Sequence, residues 1–157
     1  MPTLFEDSTP LLNDPIALRE RGQRDGFLFF KQLLPKDDLR AVRADLIGVV
    51  RKHGWLADGP DPLEGLADVE RLAKVPEEAM RTDIGVSTDA YDDVQRLESV
   101  HRLPHHPALL AMLRTLFGTD VLVHARHIIR MISPHPAVFP TPQHQDFPLI
   151  QGTQNTW

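Results

Sequence analysis

The stretch TPQHQDFP, residues 141–148, closes a loop and then alternates in character as an extended strand does. Its ionisable members, His144 and Asp146, are two positions apart. Residues i and i+2 of a strand point to the same face, so this imidazole and this carboxylate would converge on one point. The pair would supply two of the three ligands of a facial triad. In that site, two histidines and one carboxylate bind one face of Fe(II) and leave the opposite face open for substrates. We therefore expect His144 and Asp146 to be metal ligands and catalytic residues.

By itself the His-x-Asp pair is a weak signal. The chain contains 8 histidines and many acidic residues, so about one such pair is expected by chance. The alternative is a solvated histidine and aspartate on the polar face of a strand. The context favours the metal site, because the pair follows the proline-rich residues 134–142 and precedes Phe147, Pro148 and a glycine turn.

Upstream of the pair, residues 121–132 are rich in β-branched side chains and predict one long strand or two short ones. Arg130 lies among the apolar residues of this run. A charged side chain on such a strand faces either solvent or a polar cavity, and both alternatives stay open at this point.

The earlier part of the chain predicts helices. Residues 14–26 begin with an Asp-Pro N-cap and end at a glycine. Residues 35–53 carry an apolar stripe at helical spacing, acidic residues in the first turn, basic residues in the last, and Gly54 as C-cap. Two further helices are predicted, one after Asp89 running to His101 and one over residues 107–118.

Between these helices the pattern is weaker. Residues 27–30, FLFF, predict a short buried strand. Residues 58–62, DGPDP, interrupt the chain, and short helices and loops are expected from there to about residue 88. Because helices come first and strands last, the predicted fold class is α+β.

Length and composition narrow the class of protein. A chain of 157 residues suits one domain, here residues 1–157. The net charge of −5 argues against nucleic acid as a partner, since phosphate binding favours a basic surface. The absence of cysteine excludes thiolate metal sites and disulfides. No signal peptide and no membrane span are recognisable, so we expect a cytoplasmic protein.

The sequence resembles the phytanoyl-CoA dioxygenase family. Residues 141–148, followed by QGTQNTW at 151–157, look like that family's metal-binding strand. Near the other end, DGFLFF at residues 25–30 and LLP at 33–35 are similar to its opening strand and helix, and GTDVLV at 118–123 resembles the strand before the motif. The resemblance implies N-terminal helices packed on a double-stranded β-helix, a jelly-roll barrel of about eight strands.

The resemblance also implies a chemistry. The expected enzyme is an oxidoreductase, a non-haem Fe(II)/2-oxoglutarate-dependent dioxygenase that uses O2 to hydroxylate a small organic substrate. His144 and Asp146 would be its first two iron ligands. Strands near the motif line the family's cavity, so Arg130 could meet a substrate or oxo-acid carboxylate, and Trp157 could reach the cofactor pocket.

The chain departs from the family pattern downstream of the pair. The family's distal histidine ligand and the arginine that holds 2-oxoglutarate come later, and residues 147–157 contain neither His nor Arg. We therefore expect residues 1–157 to be the N-terminal part of an incomplete barrel, inactive alone, and a fragment rather than a natural short protein. The substrate and the oligomeric state are not readable from the sequence.

Two other functions remain possible. His124, His127 or His135 could join His144 and Asp146 in a zinc site that activates water, although no familiar zinc spacing is present. Alternatively, the chain is a non-enzymatic remnant of the same fold that binds a partner through an open sheet edge.

Overall fold

The computed structural model describes residues 5–59, 61, 63–81, 85–125, 127–139 and 142–144. The chain divides into two compact units. The first consists of Met1–Arg43 and Glu98–Val123, and the second of Ala44–Leu97 and His124–Trp157. The expectation of one domain over residues 1–157 stays a prediction.

Helices dominate the described residues. In chain order they are α1 (Pro15–Asp25), α2 (Lys36–Lys52), α3 (Val69–Leu72), α4 (Thr88–Gln95), α5 (Glu98–Arg102) and α6 (Pro107–Phe117). Short 3-10 helices cover Thr9–Leu11, Glu77–Ala79 and Leu103–His105. Two short strands, β1 (Met80–Arg81) and β2 (Val86–Ser87), pair antiparallel with Met80 opposite Ser87 and Arg81 opposite Val86. The boundary between the units falls within α2.

The predictions of α1, α2 and α6 are confirmed, and local signals set the ends of α1 and α6. The Asp14 carboxylate accepts hydrogen bonds from the amides of Ile16 and Ala17, at 3.1 and 3.0 Å. Gly26 and Gly118 end α1 and α6 with φ of 75° and 71°, a left-handed conformation that glycine adopts without steric cost.

The core of the first unit lies where α1 contacts α6. Leu18 of α1 is fully buried, and Met112 and Leu116 of α6 are also buried. The Arg19 guanidinium donates to the carbonyl oxygen of Leu116 at 2.7 Å. A cation at the carboxyl end of α6 is favourable because the last carbonyls of a helix lack intrahelical partners.

The prediction of a buried strand at residues 27–30 is wrong. Backbone pairing there is a single parallel bridge between Asp7 and Phe29. Phe27 is 42% exposed. Its ring packs edge-on against Phe5 with centroids 5.0 Å apart, so this aromatic run gains its contacts at the surface rather than inside a sheet.

The helix predicted between Asp89 and His101 is divided into α4 and α5. The amides of Arg96 and Leu97 donate to the carbonyls of Asp93 and Val94 at 3.2 and 3.1 Å. These bonds span three residues rather than four, so they tighten the last turn and end α4.

The second unit is built on a core of Trp55, Leu72, Val86 and Ala90, against which Val50, Tyr91 and Met131 pack. These side chains come from α2 and the residue that follows its glycine cap, from α3, β2 and α4, and from the segment downstream. Short elements are joined here by apolar burial, which is the main favourable term in folding.

No strand forms among residues 121–125 and 127–132, where one or two strands were predicted. Side-chain preference favours extended backbone, but a strand also needs a partner with which to share hydrogen bonds. The pairing of β1 with β2 is the sheet that the described residues contain, and the jelly-roll barrel stays a prediction. Within the described part of the chain, no helix has the length and apolar character needed to cross a bilayer.

Candidate functional site

His144, the first of the two predicted metal ligands, lies on an exposed stretch without regular secondary structure. Its Nδ1 is 2.8 Å from the carbonyl oxygen of Pro142. A carbonyl oxygen can only accept, so Nδ1 donates. In the neutral ring the proton is therefore on Nδ1, and Nε2 carries the lone pair.

Asp146 and Trp157 lie outside the described residues, as do residues 145–148 of the motif around Asp146. The convergence of His144 and Asp146 on one point stays a prediction. Among the residues that are described, no group of three His, Asp or Glu side chains is placed to hold a metal ion.

Arg130 belongs to an extended segment, residues 127–133, in which exposure alternates strictly. Even-numbered residues are exposed and odd-numbered ones are half-buried. Alternate residues of extended backbone point to opposite sides, so the period of two indicates a chain with one covered face. Arg130 is on the exposed face with Ile128 and Ile132, which are 47% and 75% exposed. Arg130 is exposed in the described structure, and its role towards a carboxylate stays a prediction.

The covered face of the extended segment holds one of the histidines that the sequence offered as zinc ligands, His127. His127 is half-buried, and its carbonyl oxygen accepts from the Gln95 amide at 3.3 Å. Met131, on the same face, packs against the Trp55 and Leu72 core. The segment is thus attached to the rest of the second unit by side-chain packing and by isolated hydrogen bonds.

His135, two residues beyond the extended segment, was also offered as a zinc ligand. It is 7% exposed. Its Nε2 lies 2.9 Å from the carbonyl oxygen of Val75, and its Nδ1 accepts from the Ala137 amide at 3.1 Å. Both ring nitrogens are therefore engaged with backbone groups, and a metal could bind His135 only by displacing one of them. This arrangement argues against the zinc alternative that uses His135.

Parity along the sequence does not locate His135 on the covered face. The two faces of residues 127–133 carry two large apolar residues each, Ile129 and Met131 on one and Ile128 and Ile132 on the other. The partner carbonyl, that of Val75, is far away in sequence and has no local signal.

A charge cluster around Asp93 was not recognised in the sequence. The Asp93 carboxylate accepts from Lys52 Nζ at 2.8 Å and from His53 Nε2 at 2.9 Å, and Arg96 is 3.4 Å away. The hydrogen bonds from Lys52 and His53 lower the pKa of Asp93 from 3.8 to about 2. The spacing of Asp93 and Arg96 on one helix was readable, but the approach of the α2 terminus to α4 depends on tertiary packing.

We expect Asp93→Asn to change the acid sensitivity of the protein. Because the pKa of Asp93 is lowered on folding, its contribution to stability is present above about pH 4 and is lost as pH falls towards about 2. The variant should therefore melt below the wild type at pH 6, and the gap should close towards pH 2. Thermal melts over this range measure the effect, which should also shrink in high salt.

The matched control for that prediction is Asp120→Asn. The Asp120 side chain is 99% exposed and 3.5 Å from Arg114. Surface pairs of this kind contribute little, so Asp120→Asn should melt as the wild type does at each pH. A gap for Asp93→Asn that stays constant from pH 6 to pH 2 would contradict the role assigned to its carboxylate.

Comparison with known proteins identified no relative. No protein-family model, no curated protein and no solved structure matches this chain.

Proposed function

We propose that this chain supplies two iron ligands, His144 and Asp146, to an Fe(II)/2-oxoglutarate-dependent dioxygenase that hydroxylates a small organic substrate. One structural observation carries the proposal: the hydrogen bond from His144 Nδ1 to the carbonyl oxygen of Pro142. The sequence spacing of the two side chains and the resemblance to the phytanoyl-CoA dioxygenase family support it.

The hydrogen bond matters because a metal binds the neutral imidazole through a nitrogen lone pair. Metal-ligating histidines usually donate their second ring N–H to a carbonyl or carboxylate, which sets the tautomer and orients the ring. His144 has this arrangement, with Pro142 as the acceptor. Its donor set therefore fits a ferrous ion bound at Nε2.

The two side chains would have different roles. His144 would contribute a neutral donor, and the Asp146 carboxylate would offset part of the metal charge. Iron, when bound, supplies the oxidising chemistry with 2-oxoglutarate and O2. Residues 147–157 contain neither His nor Arg, so the proposal assigns only two protein ligands to this chain. The cofactor-binding roles of Arg130 and Trp157 stay predictions.

Metal binding by the intact chain tests the proposal. Co(II) is a suitable probe, because its visible absorption reports nitrogen and oxygen ligands without oxidation. We expect the wild type to bind Co(II), and His144→Ala and Asp146→Ala each to weaken binding by at least about tenfold. Fe(II) added in the absence of oxygen should compete with Co(II) for the same site.

His124→Ala is the control that separates this site from the zinc alternative. His124 is exposed and lies upstream of the motif, and its removal should leave Co(II) affinity unchanged. Equal affinity in the wild type and in the His144 and Asp146 variants would refute the assignment. Loss of binding in His124→Ala together with His144→Ala would favour a zinc site instead.

A second candidate function is the binding of a partner strand. It is favoured by the exposed apolar residues of the extended segment. Ile128 and Ile132 are 47% and 75% exposed. Exposed apolar side chains on extended backbone are typical of surfaces that accept another strand. In that case the wild type would bind no Co(II), and sedimentation velocity would show association that Ile132→Lys abolishes.

A further inference from the structure

The tripeptide His-Pro-Ala occurs at residues 106–108 and again at residues 135–137. In both copies the histidine Nδ1 accepts a hydrogen bond from the alanine amide, and both distances are 3.1 Å. Proline has no amide proton, so the alanine amide is the first donor after the histidine that the ring can reach. The same local bond therefore forms in two different settings, the start of α6 and a turn.

The copy at residues 135–137 lies in a turn of the second unit. The Val138 amide donates to the carbonyl oxygen of His135 at 3.0 Å, and His135 Nε2 is 2.9 Å from the carbonyl oxygen of Val75. A carbonyl oxygen only accepts, so Nε2 carries the proton and Nδ1 the lone pair. His135 and Ala137 are 7% and 5% exposed, so the ring joins two backbone segments away from water.

These bonds require the neutral ring. A charged imidazole carries a proton on both nitrogens, so Nδ1 would face the Ala137 amide donor to donor. A buried donor that loses its acceptor is destabilising, and the charge itself would be buried beside a carbonyl rather than a carboxylate. Protonation of His135 is therefore incompatible with the closed turn.

In the described part of the chain, no charged side chain forms an ion pair with His135. The segment around Val75 carries charged residues that are exposed, namely Lys74, Glu77 and Glu78. The hydrogen-bond partners of the ring are one carbonyl and one amide, and neither stabilises a positive charge as a carboxylate does.

We propose that His135 is a pH-sensitive switch, which holds the turn at residues 135–138 closed when neutral and releases it when protonated. Histidine in water has a pKa of about 6.5. Above that pH the neutral ring holds the turn against Val75. As pH falls below it, a proton binds the ring in the open form, so acid favours opening. Opening exposes the Ala137 and Val138 amides.

The copy at residues 106–108, in the first unit, is a comparison within the same chain. His106 Nδ1 caps α6 by accepting from the Ala108 amide, and Nε2 lies 3.2 Å from the Asp38 carboxylate. A carboxylate favours the charged ring, which offsets the loss of the cap on protonation. His106 is also half-buried rather than buried. The bond to Ala108 should therefore be less sensitive to acid than the bond to Ala137.

Amide hydrogen exchange of the full chain, followed by NMR with a metal chelator present, tests the switch. At one pH unit below the pKa of free histidine, protonation favours the open turn by about tenfold. We expect the protection factor of the Ala137 amide to fall by this factor from pH 7.5 to pH 5.5. That of the Ala108 amide should fall by less than about threefold. The contribution of Asp93 changes only below about pH 4, outside this range.

His135→Asn isolates the titration of the ring, because its amide oxygen can accept from the Ala137 amide but does not titrate. In this variant the protection of Ala137 should be the same at pH 7.5 and pH 5.5. If the variant does not fold, His135→Gln, which can donate to Val75, gives the same decision. Asp38→Asn keeps an acceptor for His106 but removes its charge, so protection at Ala108 should then fall more steeply with acid than in the wild type.

The Leu72 amide is the control for opening of the whole second unit. It donates to the carbonyl oxygen of Asp68 at 3.0 Å, and its protection should stay constant from pH 7.5 to pH 5.5. Equal falls at Leu72 and Ala137 would refute a switch confined to the turn. Protection at Ala137 that does not change with pH, or that falls equally in the wild type and His135→Asn, would also overturn the proposal. None of these outcomes depends on metal binding, so they are separate from the test of the proposed function.

Discussion

Gly85→Ala is expected to lower the free energy of unfolding by about 2–5 kcal/mol. Gly85 follows β1 and has φ of 79°, a left-handed conformation that costs an alanine about 1–2 kcal/mol. An alanine Cβ here would also collide with the carbonyl oxygen of Met131 and lie 2.9 Å from its carbonyl carbon. The atoms it meets are backbone, so the extended segment would have to move away from the hairpin. Urea unfolding measures the loss.

Two other glycines serve as controls for this prediction. Gly48 lies inside α2 with no atom within 4 Å of an added Cβ, so Gly48→Ala should stabilise the protein by about 0.5–1 kcal/mol. Gly26 has φ of 75° and open space around it, so Gly26→Ala should cost about 1 kcal/mol through backbone strain alone. If Gly85→Ala costs no more than Gly26→Ala, the close approach of Met131 is not present in solution.

Leu72→Ala is expected to lower the free energy of unfolding by about 2–5 kcal/mol. Leu72 is 1% exposed and packs with Trp55, Val86 and Ala90. The substitution loses the transfer free energy of the side chain and leaves a cavity that α3, a four-residue helix, would have to collapse to fill. Trp55 belongs to the same cluster, and the chain has 2 tryptophans, so its fluorescence in a Trp157→Phe background reports the unfolding of this core.

Val69→Ala is the control at an exposed position of the same helix. Val69 is 55% exposed. Its substitution should change stability by no more than about 0.5 kcal/mol, because an exposed side chain that makes no capping hydrogen bond contributes little. Similar losses for Leu72→Ala and Val69→Ala would mean that the Trp55 core is not the main source of stability in the second unit.

The helix ends were predictable because their causes are local. A cap needs only a residue and its nearest amides, as with Asp14 before α1, or a glycine able to adopt positive φ, as with Gly118 after α6. The break between α4 and α5 was not predicted, since the apolar spacing of Val94, Leu97 and Val100 continues across it. That break depends on how the last turn of α4 closes.

Some features of the candidate site were likewise predictable from local sequence, and others were not. The spacing of His144 and Asp146 and the extended character of residues 127–133 are properties of neighbouring residues. The bond from His144 to Pro142 is also local, because it joins residues two positions apart. In contrast, the bond from His135 to Val75 joins residues 60 positions apart and could not be read from either neighbourhood.

Strand formation depends on the tertiary structure, because a strand needs a pairing partner. Residues 27–30 and 121–132 contain the side chains that favour strands, and the sequence by itself determined only that preference. Whether a ladder forms depends on a partner that satisfies the backbone amides and carbonyls. Helices satisfy those groups within their own segment, so α1, α2 and α6 follow from local sequence. The strands, the Asp93 cluster and the anchoring of His135 require contacts between distant residues, and only the folded chain decides them.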